Sequence, residues 1–245
     1  MQLQDIIVGM EDIMIVYGRN VAKEILKNNK KVEKILLQDN FDDKEILSLI
    51  ENRKIKTERL DKKGFSKFEK YSHQGIILYI EDFKYADIDE FTNEESSVIV
   101  ILDHLEDPHN MGAIIRTCES AGIDGIIIPK DRSVDVNSTV MKTSAGALEN
   151  VKIAQVVNLN QTIKVLKEKG YWIVGTDMEN SVDYRDIDYG GKICLVIGSE
   201  GNGMSKIVKD SCDFIARIPM YGKINSLNAS VAAGIMIYEV IRSKR

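Results

Sequence analysis

The chain has 245 residues, a hydrophobic fraction of 44% and a formal net charge of −5, which suits one large α/β domain or a small domain joined to a medium one. No run of about 18 apolar residues occurs, which argues against a membrane span. The N-terminal MQLQDIIVGMEDIM lacks a basic region followed by an apolar stretch, so no secretory signal is read and a cytoplasmic location is expected.

Residues 12–80 read as a small alternating unit. GRNVAKEILKNN suggests a helix with Val21, Ile25 and Leu26 on one face, VEKILLQ a strand, and KEILSLIENR a second helix with Ile46, Leu47 and Ile50 at helical spacing. IKTERL then reads as a short strand, KKGFSKFEKY as a helix and QGIILYI as a closing strand. Residues 1–80 carry 15 Lys/Arg against 13 Asp/Glu, whereas 81–245 carry 18 against 25. Within Asn52–Lys70 the balance is 8 basic to 3 acidic. Such a local basic face attracts phosphates even on an acidic protein, and a plain solvated surface is the competing reading.

The acidic stretch 81–96 has no sustained apolar period and reads as a linker with one helical turn. From Ser97 the pattern is strongly α/β. VIVILD, DGIIIP, VKIAQV, YWIVGT, KICLVIGS and DFIARIP are strand-like, and HNMGAIIRTCESAG, NLNQTIKVLKEKG and the segment after NSLNAS are helical. This alternation implies a mostly parallel sheet covered on both faces. Ligands bind such sheets at the carboxyl ends of their strands. The rule selects four loops, 103–116, 175–177, 198–205 and 219–228.

Each candidate motif has a structural reading beside its functional one. GSEGNGMS lacks the Lys-Ser/Thr ending of a P-loop, yet Gly198, Gly201 and Gly203 demand a sharp turn or a close approach. Glu200 between them suits either a site or the positive start of the next helix. Asn110 precedes a helix as a cap would, with Arg116 six residues later, and Ser226 and Asn228 also read as caps or as pocket residues. Cys118, Cys194 and Cys212 have no C-x-x-C spacing and read as buried free thiols, while the three histidines offer no H-x-x-x-H pair, so no metal is expected.

Taken together, LDHLEDPHNMGAIIRTCESAG, LVIGSEGNGMS and IPMYGKINSLNASVAAGI resemble the SPOUT superfamily of RNA methyltransferases, SpoU/TrmH branch, in the family's order and spacing. The resemblance spans about residues 97–243, with Ala229 standing where a valine is usual. VYGRNVAKEIL, SHQGI and IIIPKDRSVDVNSTVMKTSAGALE are similar to the bacterial 23S rRNA guanosine 2′-O-methyltransferases, an architecture shared by related tRNA and antibiotic-resistance enzymes.

The resemblance implies an N-terminal α/β RNA-substrate-binding domain (1–80), a linker (81–96) and a parallel-sheet SPOUT domain (97–245) closed by a deep trefoil knot. It implies methyl transfer from S-adenosylmethionine to a ribose 2′-hydroxyl of RNA, foremost a guanosine of 23S rRNA, by a homodimer with its final helix as a contact surface. By motif match, Asn110, Arg116, Glu200, Ser226 and Asn228 are the catalytic group. Backbone near Gly175, Thr176, Gly198, Ile218 and Leu227 would hold the adenosyl group. A guanidinium is very hard to deprotonate, so Arg116 is assigned positioning and charge stabilisation. Asn110 and Glu200 would orient Arg116 or the nucleotide, and Ser226 and Asn228 would shape the pocket floor. The alternatives are the same reaction on tRNA or another rRNA site, and a non-catalytic RNA-binding ribosome-assembly protein. An NTP-binding enzyme is disfavoured by the missing P-loop lysine.

Overall fold

A computed structural model of the chain describes residues 13–28, 30–69, 71–92, 95–224 and 226–244. Two units result, Met1–Lys84 and Tyr85–Arg245.

The first unit runs β1 (Ile13–Tyr17), α1 (Arg19–Lys27), β2 (Val32–Gln38), α2 (Lys44–Arg53), β3 (Thr57–Leu60), α3 (Lys62–Phe65) and β4 (Ile76–Glu81). Its sheet has the order β1-β4-β2-β3. β4 lies inside it, antiparallel to both neighbours, so Ile76–Ile80 are buried on both faces and form an unbroken apolar run. α2 opens on Asp43, whose carboxylate accepts the Ile46 N–H, and closes on Lys54 in the left-handed region. The helix expected over KKGFSKFEKY is only α3 followed by a 3₁₀ turn at Ser66–Phe68. Gly64 and Ser66 are weak helix formers, and Phe65 and Phe68 reach the core at a spacing of three.

The stretches VYGRN and SHQG, far apart in sequence, meet in this unit. The Arg19 N–H donates to Gln74 Oε1 at 2.8 Å, and the Gly18 N–H donates to the Ile76 carbonyl at 3.4 Å. Gly18 has φ +99°, which is why a glycine stands at the turn into α1.

The second unit runs β5 (Val98–Asp103), α4 (Pro108–Ala121), β6 (Gly125–Pro129), α5 (Ser138–Thr143), β7 (Ile153–Val156), α6 (Leu159–Glu168), β8 (Tyr171–Thr176), β9 (Val182–Asp183), β10 (Lys192–Gly198), α7 (Lys206–Lys209), β11 (Phe214–Arg217) and α8 (Ala229–Lys244). The sheet order is β7-β6-β5-β10-β8-β11-β9, and every pairing is parallel. Strand β9 has two residues and carries no periodicity that a sequence pattern can register.

One face of this sheet, with Ile99, Ile101, Ile173, Cys194 and Val196, packs against Leu159, Ile163 and Leu166 of α6. Helix α8 packs against β10 and α4. From β5 the chain proceeds outward through β6 and β7; it then crosses to β8 and returns to insert β10 between β5 and β8. The direction of winding therefore changes between β5 and β10, and the gap between their carboxyl ends is the topological switch point.

The acidic stretch expected as a linker belongs to the second unit from Tyr85 onward. The Ala86 N–H donates to the Ile153 carbonyl at 2.8 Å, Phe91 is buried, and Lys152 Nζ donates to the Glu90 carbonyl at 2.7 Å. Its few apolar residues anchor singly, so no sustained period marks it as packed. The three thiols are free, with Cys118 and Cys194 buried and Cys212 partly so. Burial pushes all three thiols up, Cys212 to about 12.

Candidate active site

α4 begins just beyond the carboxyl end of β5. Its cap is Asp107 rather than Asn110: one carboxylate oxygen accepts the His109 N–H at 2.8 Å, and Pro108 occupies the first helical position. Asn110 lies inside the first turn and is 6% exposed. Its amide donates to the other Asp107 oxygen at 3.2 Å, so the cap also fixes the rotamer of Asn110. Asp107 was missed as a site residue although an Asp directly before a Pro is a helix-start signal.

The loop after β10 is a closed ring. Ser199 and Gly203 exchange two backbone hydrogen bonds of 3.0 Å each. A Cβ on Gly198 would lie 2.3 Å from the Gly203 carbonyl carbon, so only glycine permits the fold-back. Glu200 sits in this ring. The next helix, α7, has Ser205 at its N-cap position without a side-chain cap bond, which places Glu200 outside its first turn and removes the helix-start reading. Instead, Glu200 Oε1 accepts hydrogen bonds from the Asn110 amide and, at 3.0 Å, from Asn228 Nδ2.

Asn228 faces two ways. Its Oδ1 caps α8, accepting from the Ser230 N–H at 2.9 Å, the Ser230 hydroxyl at 2.6 Å and the Val231 N–H at 3.4 Å. Its Nδ2 donates to Asn110 Oδ1 at 3.0 Å as well as to Glu200. The partners fix the amide orientation, since only the oxygen can receive backbone N–H groups. Asn228 therefore caps α8 and at the same time joins Asn110 and Glu200. For Asn228 to reach Asn110, the chain after β11 must return across the carboxyl ends of β8 and β10.

Arg116 is exposed on α4, six residues beyond Asn110, and has no hydrogen-bond or ion-pair partner among the described residues. Of the two roles expected for Asn110 and Glu200, orienting Arg116 or orienting the nucleotide, the first has no hydrogen bond behind it among the described residues. Ser226 is also exposed and outside the network, and Asn225 lies outside the described residues.

Of the expected adenosyl-binding positions, Gly175, Thr176, Gly198 and Ile218 lie at or just beyond neighbouring strand ends. Gly175 pairs with Val196 of β10 and Ile215 of β11, and Thr176 with Ala216. The Thr176 hydroxyl donates to the Val196 carbonyl at 3.1 Å. A Cβ on Gly175 would meet Met204 and Cys212 within 2.8 Å, so packing alone accounts for this glycine. Gly198 ends β10, Ile218 directly follows β11, and Leu227 is partly exposed beside Asn228. Together they offer strand-end backbone groups and the aliphatic side chains of Ile218 and Leu227, the kinds of group that line small-molecule sites. Among the described residues no group of His, Cys, Asp or Glu is arranged to hold a metal ion.

Residues 97–238 match the model of the SpoU rRNA methylase family, and residues 15–86 match the RNA 2′-O ribose methyltransferase substrate-binding domain. The chain belongs to the SpoU family. This SpoU protein is 47% identical over 243 residues to a Staphylococcus saprophyticus protein assigned by name to the TrmH family of tRNA/rRNA methyltransferases, covering 96% of this chain and 97% of the relative. A Staphylococcus aureus protein of the same designation is 43% identical over 96% of this chain and 98% of its own. Among solved structures, an AdoMet-bound rRNA methyltransferase from Sinorhizobium meliloti superposes with a TM-score of 0.77 at 26% identity, over 94% of this chain and 87% of that one. The SpoU methyltransferase AviRb from Streptomyces viridochromogenes, in complex with AdoMet, shares the fold with a TM-score of 0.80 at 22% identity, over 98% and 96%. The three motifs of this SpoU domain are those whose asparagines and glutamate meet at the switch point.

Proposed function

We propose that this SpoU protein transfers a methyl group from S-adenosylmethionine to a ribose 2′-hydroxyl of RNA, with a guanosine of 23S rRNA as the target. The observation that carries the reading is the Asn110–Glu200–Asn228 triangle, which joins residues 90 and 118 positions apart in sequence at one topological switch point.

S-adenosylmethionine, when bound, would supply a sulfonium-activated methyl whose sulfur leaves as the neutral thioether, and the acceptor 2′-hydroxyl would give its proton to solvent. The backbone at Gly175, Thr176, Gly198, Ile218 and Leu227 holds the adenosyl moiety. Glu200 is kept in place by two amide donors on one oxygen, leaving Oε2 to accept from the ribose. Asn228 and Ser226 line the floor of the pocket. Arg116, an exposed guanidinium, engages a phosphate beside the target ribose and stabilises the developing oxyanion. Holding the acceptor in line with the methyl group supplies the proximity and orientation that a displacement reaction draws on.

The wider reading includes a homodimer, a cytoplasmic site of action and the deep trefoil knot. Val231 and Tyr238 of α8 are 50% and 52% exposed, which supports α8 as a subunit contact; sedimentation as a monomer at micromolar concentration would remove that part. A tRNA target is the second reading, favoured by relatives named for both RNA classes. The test is ribose-methylation mapping of 23S rRNA and tRNA from cells with and without the gene. Loss of one guanosine 2′-O-methyl from 23S rRNA, restored by wild type but not by Arg116→Ala, supports the reading. A lost mark on tRNA changes the substrate and keeps the chemistry. No lost mark and no S-adenosylmethionine binding would favour a non-catalytic RNA-binding protein.

A further inference from the structure

Asp103 ends β5 and is fully buried. A buried carboxylate is costly unless its oxygens are occupied by donors, and here both are. Oδ2 accepts the Ser205 N–H at 2.6 Å, and Oδ1 lies 2.5 Å from His104 Nδ1. A carboxylate only accepts, so the Nδ1–H of His104 is the donor. His104 adopts φ +56°, a left-handed conformation uncommon for a side-chain-bearing residue, with its ring bonded to the carboxylate of the preceding residue.

The position of Asp103 relative to the Glu200 loop is specific. In the parallel β5–β10 pairing, Asp103 is the register partner of Gly198, the residue at which the loop departs. Its side chain holds Ser205, the residue at which the loop ends. Asp103 therefore lies beside Gly198, where the loop departs, and bonds Ser205, just beyond the ring that carries Glu200; Glu200 is the group on which Asn110 and Asn228 converge.

We infer that Asp103, held by His104, is a positioning residue for methyl transfer, fixing the 199–205 loop so that Glu200 sits against Asn110 and Asn228. This rests on the proposed methyltransferase reading for its effect on rate, and on the geometry alone for its effect on the loop. Asp103→Ala removes both acceptors, and kcat falls on the order of 10²-fold, the usual consequence of a displacement of about 1 Å in a catalytic group. Asp103→Asn keeps an acceptor for Ser205 and restores most of that loss.

The deciding measurement is a double-mutant cycle of Asp103→Ala with Glu200→Gln, assayed well below the melting temperature of each variant, together with a crystal structure of Asp103→Ala. The expected result is strong non-additivity, with Asp103→Ala costing little more once Glu200 is altered, and a loop displaced from Asn110 and Asn228. Additive losses, or a wild-type kcat in folded Asp103→Ala, would overturn the inference. Were wild type to transfer no methyl to RNA, the methyltransferase reading would fail by itself; an undisplaced loop in the Asp103→Ala crystal would then overturn the positioning role independently.

Discussion

Asn228 separates helix capping from site assembly within one side chain. Serine caps as well as asparagine but cannot donate to both Asn110 and Glu200, so Asn228→Ser is expected to keep the melting temperature near wild type while methyl transfer falls on the order of 10²-fold. Asn228→Ala loses the cap as well and should cost about 1 kcal/mol in addition; denaturant titration beside a methyl-transfer assay distinguishes the two. Arg116 poses a different question, because its side chain is exposed and joined to nothing in the triangle. Arg116→Lys keeps the charge and loses the planar fork. A large drop in kcat is expected, and near-full activity would rule out a need for bidentate phosphate contact. Asparagine, glutamate and arginine were legible as candidates because they sit in long motifs after buried strands. Their contacts were not, since which side chains meet depends on strand order rather than on local spacing.

At the level of elements, α4 and α5 touch through Gly112. A Cβ there would lie 2.6 Å from the Thr143 side chain and 3.0 Å from the Val140 carbonyl. Gly112→Ala should therefore destabilise the SpoU domain by roughly 1–3 kcal/mol, read as a lower urea midpoint at unchanged slope. In the substrate-binding domain, Lys62, Lys63 and Lys67 around α3 are exposed and form no salt bridge among the described residues. Lys23, Lys27 and Lys34, by contrast, are paired with acidic neighbours. Replacing Lys62, Lys63 and Lys67 by glutamate should weaken RNA binding. It should also make the slope of log affinity against log salt shallower by about 0.7–0.9 for each phosphate that is no longer neutralised. S-adenosylmethionine binding, measured by calorimetry, should not change. The strands and most helices were readable from apolar period and caps. KKGFSKFEKY misled because its phenylalanines satisfy a three-residue turn as well as a helix, and Asn110 because the stronger cap, Asp107, stands three residues earlier.

For the molecule as a whole, two exposed carboxylates add a small acid-sensitive contribution, small because solvent screens surface ion pairs. Lys23 and Lys27 hold Glu45 at about 2, and Arg185 holds Asp183 at about 2. Both lie below their unfolded values of about 4, so their stabilisation is full above that range and is lost as pH falls toward 2. Melting temperatures between pH 5 and 2 should decline, and Glu45→Gln should reduce the decline. The amino-acid sequence by itself determined the alternation of strands and helices, the two-part organisation and membership of the SpoU family, because burial periods and motif residues are local properties. Only the tertiary structure decided that Asp107 rather than Asn110 caps α4 and that Tyr85–Thr92 packs on the second unit. It also decided that Asn228 both caps a helix and closes a triangle with Asn110 and Glu200, and that Asp103, beside Gly198 in register, bonds Ser205 at the far end of the Glu200 loop. These are hydrogen bonds between residues distant along the chain, and they exist because β10 returns to lie beside β5.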